Sequence, residues 1–142
     1  LFGLASLAGI WTTGLLVDRR LRALTLASLV LFAAAAWTLG FFSSSPALVL
    51  GGIAAWGLSF GGAPTLLQTA LADTAGEHSD VAQSMLVTIF NLGIACGGIL
   101  GGALLDSIGA GSFAWTVTAL AVIALLAAWS ARGHGFRPGH RR

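Results

Sequence analysis

Gly57-Leu58-Ser59-Phe60-Gly61 has the spacing of the turn that presents a nucleophilic serine in many hydrolases. Such a serine needs a base to take its proton, and a strand-to-helix elbow or a membrane-depth histidine to make the geometry work. The three histidines, His78, His134 and His140, stand in a polar stretch and in the tail. Serine chemistry is therefore set aside, and the chain is not expected to be an enzyme. Two tail histidines with no acid or cysteine beside them make a poor metal set, so neither metal nor cofactor is expected. The carboxylates Asp18, Asp73, Glu77, Asp80 and Asp106 all sit at the ends of apolar runs. A carboxylate that works inside a membrane lies between such ends, and none of these five does.

Those residues sit in an unusual solvent. Of 142 residues 56% are hydrophobic and 8% charged, with mean hydropathy +0.90. A soluble domain carries about 25% charged residues, so a bilayer suits this composition better than water. The seven basic residues, all arginine, gather at run ends and in the tail. That distribution orients a membrane protein; a nucleic-acid face would interleave basic residues along one surface. Absent lysine and abundant alanine fit a GC-rich bacterial gene. The lone cysteine, Cys96, lies within an apolar run and leaves no disulfide framework. Leu1 opens inside a hydrophobic run without the basic segment of a signal peptide. The chain reads as a C-terminal fragment.

The fold expected is all-α, a polytopic membrane bundle of five crossings over 1–17, 23–42, 47–72, 81–105 and 113–130. The first run reaches only ~25 Å, short of the ~30 Å hydrocarbon core, as a truncated helix would. Ser43-Ser44-Ser45-Pro46 is a tight turn. Gly61, Gly62 and Pro64 predict a kink or hinge in the third run. Asp73 to Asp80 reads as a polar loop, with Asp80 and Gln83 as a capping box for the fourth helix. Gly109 and Gly111 break the next turn. Residues 1–131 form the transmembrane part and 132–142 a basic tail. Arg19, Arg20 and Arg22 share a side with Arg132, Arg137, Arg141 and Arg142, while the intervening turns at 43–46 and 106–112 lack basic residues. The positive-inside rule then puts the C-terminus in the cytoplasm.

The fourth run carries Gly93, Gly97 and Gly101, and again Gly98 and Gly102. Four-residue spacing lines each set along a helix face that admits another backbone in lipid. Ser84, Thr88 and Asn91 fall within about 60° of one another, roughly opposite Gly93 and Gly97. Asn91 lies near the midplane, where an amide needs a partner, water or substrate. It either lines a cavity or bonds a neighbouring helix. Trp56 and Gln68 flank the glycine–proline break as further cavity candidates; Gln68 is near enough to the helix end to be simply solvated.

Gly14-Leu15-Leu16-Val17-Asp18-Arg19-Arg20-Leu21-Arg22 sets an acid and three arginines between two apolar runs. The pattern Gly-x-Leu-x-Asp-Arg-x-x-Arg resembles the signature loop of the major facilitator superfamily of secondary transporters. Leu21 stands where that family usually has glycine, which fits the less strict copy in the second half. The Asn91 to Gly102 run resembles the eleventh helix of bacterial efflux members. The resemblance covers the whole chain, as helices eight to twelve. It implies a proton-coupled exporter of small molecules in the bacterial plasma membrane, with Gly14, Asp18, Arg19 and Arg22 as a cytoplasmic gate. It also implies that Asp18 docks on the fifth helix of an N-terminal half absent from this chain, and that the start of the fourth run receives the matching acid. Partners implied are lipid, that other half, a small-molecule substrate and protons. The alternative is a non-transporting membrane module whose glycine faces bind partner helices.

Overall fold

The computed structural model describes residues 1–133, and every regular element there is helical. Helix α1 spans Phe2–Phe41, α2 Pro46–Ala75, α3 Ser79–Ser107 and α4 Ser112–Ser130. Single 3-10 turns, Gly76–His78 and Ala131–Gly133, follow α2 and α4. The stretches Phe2–Phe41, Pro46–Ser107 and Ser112–Gly133 are long and apolar enough to cross a membrane. The tail beyond Gly133, with His134, His140, Arg137, Arg141 and Arg142, lies outside the described residues.

Helix α1 doubles back on itself at Arg20, whose φ of −140° and ψ of 34° leave the helical region. The rings of Phe2 and Phe32 both meet Trp56, at 6.3 and 5.8 Å between centroids. A straight helix would hold those two phenylalanines ~45 Å apart. Only a reversal brings both to one indole. The two arms pack side by side against α2, the first parallel to it and the second antiparallel.

Small residues make this packing possible. A Cβ at Gly9 would collide with the Leu58 backbone, at Gly61 with the Ser6 backbone, and at Gly62 with the Thr13 hydroxyl. Without water to drive apolar surfaces together, close backbone contact and dispersion hold helices in lipid. Gly9, Thr13 and Val17, four residues apart, form the buried stripe of the first arm of α1, and Leu21, Thr25, Ala35 and Ala36 are the buried residues of the second. Val17 and Leu21 meet Leu66 and Ala70 of α2 in the apolar core, with Leu24 packed beside them. The Ser28 hydroxyl donates to the Ser59 carbonyl across the second interface at 2.8 Å.

Helix α4 packs along the second arm of α1. At one end Gly40 touches Ala114, and Trp115 stands edge-on to Trp37 and Phe41 at 5.3 and 5.0 Å. At the other end Arg22 reaches the final carbonyls of α4. Helix α3 is different: none of its residues is buried, and Cys96 is exposed although it sits in an apolar run. An all-round apolar helix belongs against lipid or other helices.

Three boundary expectations change. Helix α2 continues to Ala75, so Asp73 is helical and the polar loop shrinks to the turn Gly76–His78. Gly76, with φ 52°, makes the stop. Helix α3 then begins at Ser79 with no side-chain cap, so Asp80 and Gln83 form no capping box. Asp80 lies instead in the first turn, where its charge suits the positive end of the helix dipole. Pro64 stands inside the continuous span of α2.

Candidate functional site

The polar side chains singled out in the sequence divide between two pockets and one helix end. Trp56 lines a pocket of about 330 Å³ with Phe32, Phe113, Ala114 and Ser43 between α1, α2 and α4. Its wall is almost wholly hydrocarbon and aromatic.

The second pocket, about 230 Å³, opens between α2 and α3. Its lining joins Pro64, Leu67 and Gln68 with Leu86, Val87, Phe90 and Asn91. Gln68 and Asn91, 23 residues apart in sequence, thus share one cavity, whereas Trp56 lies ~18 Å further along α2. Asn91 donates one amide N–H to the Val87 carbonyl at 2.8 Å. An amide has two N–H donors and an oxygen acceptor, so one donor and the acceptor are left for the cavity. Ser84 and Thr88 do not line it. Their hydroxyls donate to the Val81 and Ser84 carbonyls, at 2.7 and 2.9 Å, within their own helix. Back-bonding of this kind spares a hydroxyl the cost of facing hydrocarbon unpaired.

At the reversal of α1, Gly14, Asp18 and Arg19 are exposed, while Arg22 is half-buried. Arg22 donates to the carbonyls of Ala128 and Trp129 at 3.4 and 3.1 Å. Its guanidinium also lies 5.7 Å from the centre of the Trp129 ring. The last carbonyls of a helix lack partners within it, and the dipole there favours a cation. The arginine answers both needs. Gly14 faces open space, with nothing within 4 Å of a Cβ built there.

Gly61 and Gly62, read as a hinge, sit in the tight interface with the first arm of α1. Among the described residues Gly93, Gly97, Gly98 and Gly102 have no neighbour within 4 Å of a built Cβ, and Gly101 has only the Phe113 ring at 3.6 Å. Ser59 is buried mid-helix, its hydroxyl donating to the Trp56 carbonyl at 2.9 Å. That is a helix-internal hydroxyl in a helix, with none of the elbow that activates a nucleophile.

Sequence reading missed Phe90 and Trp129. Phe90 lay hidden among equally apolar neighbours. Trp129 carried a usable signal, being an aromatic in the last turn of a run that ends on the arginine side.

Comparison with known proteins gives a consistent picture. The sequence profile of the Major Facilitator Superfamily matches residues 1–140. Purine ribonucleoside efflux pumps named NepI, from Escherichia coli (strain K12) and Shigella flexneri, are 27% identical over 108 residues. The match covers 76% of this chain and 27% of each pump, so the chain spans little more than a quarter of those relatives. No solved structure gave a significant match.

Proposed function

This chain belongs to the Major Facilitator Superfamily, a family of transporters of multi-pass architecture, and from that premise we propose that it is part of a proton-coupled exporter of small molecules. The two arms of α1 with α2, α3 and α4 make its five crossings, the later part of a twelve-helix protein. The substrate class is that in the relatives' names, purine ribonucleosides. Residues 1–131 are the transmembrane part and 132–142 a cytoplasmic tail. The protein sits in a bacterial plasma membrane with its C-terminus inside.

The observation that carries this reading is the reversal at Arg20. It sets Asp18, Arg19 and Arg22 at one surface, beside the end of α4, where a gate between rocking halves would work. Asp18 docks on a helix start of the other half, and the N-terminal end of α3 receives the corresponding acid. The glycine faces of α3 pack against that half, and Gly61, Gly62 and Pro64 take up bending in α2. Protons are carried by an acid in the remainder of the protein.

The test uses everted membrane vesicles holding the full-length protein under an imposed proton gradient. Labelled adenosine should accumulate, an uncoupler should abolish uptake, and Asp18→Asn should reduce it at least tenfold at equal membrane abundance. Adenosine uptake that ignores the gradient would remove proton coupling, and full transport by Asp18→Asn would remove the gate.

A further inference from the structure

We infer that the pocket between α2 and α3 is a purine-nucleoside subsite, with Asn91 reading the base edge, Phe90 stacking on the ring and Gln68 reaching the sugar. The inference rests on the purine ribonucleoside reading above and assigns residues to it. Its basis is the chemistry left over in the cavity. Asn91 has one N–H held by the Val87 carbonyl, which fixes the amide plane and leaves a donor beside an acceptor. Adenine presents the complementary pair, the N7 acceptor beside the N6 donor, and a carboxamide meets that edge with two hydrogen bonds. Phe90 borders the same cavity and offers the aromatic face on which bases stack.

Gln68 lies one turn of α2 beyond Pro64 in that lining. One turn is ~5 Å, and its amide, a donor and an acceptor, suits a ribose hydroxyl, which both donates and accepts. The cavity of about 230 Å³ has apolar walls from Leu67, Leu86 and Val87. Such walls offer no hydrogen bonds of their own, so the two amides decide which polar edge is held there.

The experiment measures competition for adenosine export by the full-length protein in proteoliposomes, using adenosine and 7-deazaadenosine, which lacks the N7 acceptor. The wild type should prefer adenosine by roughly tenfold or more. Asn91→Ala should bring the two within about twofold, and that ratio is independent of how much protein reaches the membrane. Gln68→Ala should weaken both ligands and keep their ratio. A wild type indifferent to N7, or an Asn91→Ala protein that keeps the preference, overturns the subsite while leaving purine export standing. A wild type that exports no purine nucleoside overturns the functional reading and the subsite together.

Discussion

Arg22 holds the end of α4 at Trp129. Its guanidinium donates to the Trp129 carbonyl at 3.1 Å and lies 5.7 Å from the centre of the same residue's ring. The arginine thus ties the reversal in α1 to a helix more than a hundred residues later.

Replacing Arg22 by alanine should free that end. A hydrogen bond from a charged donor contributes about 1.5–3 kcal/mol when buried, and partial exposure at this surface lowers the figure to about 1 kcal/mol. Arg22→Ala should lower the melting temperature of the purified protein by a few degrees. Arg22→Lys keeps the charge without the planar fork and should recover only part of the loss. Equal melting for all three proteins would show that the contact carries no stability.

Gly61 and Gly14 should respond oppositely to the same change. A Cβ at Gly61 runs into the Ser6 backbone, whereas one at Gly14 meets open space. Gly61→Ala should cost about 1–3 kcal/mol, as overpacking does. Gly14→Ala should leave stability within about 0.5 kcal/mol, as exposed substitutions do. Thermal unfolding in detergent compares the two directly, and an equal response would mean that the interface yields freely.

Gly97 tests what covers α3. Within the described residues a Cβ there meets nothing, so the helices of this chain should tolerate Gly97→Leu. In the full-length protein the same change should reduce folded yield, because the other half is proposed to pack on that face. Normal yield and transport would remove the glycine faces of α3 from the account.

Much of this architecture is legible in the residues. The reversal follows from Asp18, Arg19, Arg20 and Arg22, since four charges cannot remain within hydrocarbon. Pro46 announces the start of α2 because a missing N–H costs nothing in a first turn. The helix boundary near Asp73 was less legible: composition marks polar residues, yet a helix can continue past the membrane into water, and α2 stops at Gly76 instead. Asp80 and Gln83 have the spacing of a capping box, but spacing cannot tell that a 3-10 turn starts the next helix earlier. The glycines do not announce which of them meet neighbours within this chain. The ladder in α3 is the more regular pattern, while the close contacts within the described residues fall at Gly9, Gly40, Gly52, Gly57, Gly61 and Gly62, whose partners lie on a different helix or arm. Of the cavity candidates, Gln68 and Asn91 meet in one pocket. Ser84 and Thr88 spend their hydroxyl donors on their own helix and keep only acceptors, a competition that residue type alone does not resolve.

The most direct test of the account is the reactivity of one side chain from the two sides of the membrane. Cys96 is the sole cysteine of this chain. With it and any other cysteines of the full-length protein replaced, Asn91→Cys can be probed with a membrane-impermeant thiol reagent on oriented vesicles. A transport cavity opening alternately to each side predicts labelling from both surfaces, with adenosine changing the balance between them and protecting the site. An Asn91→Cys protein labelled from neither side, while a cysteine at exposed Arg19 labels normally, would contradict the account.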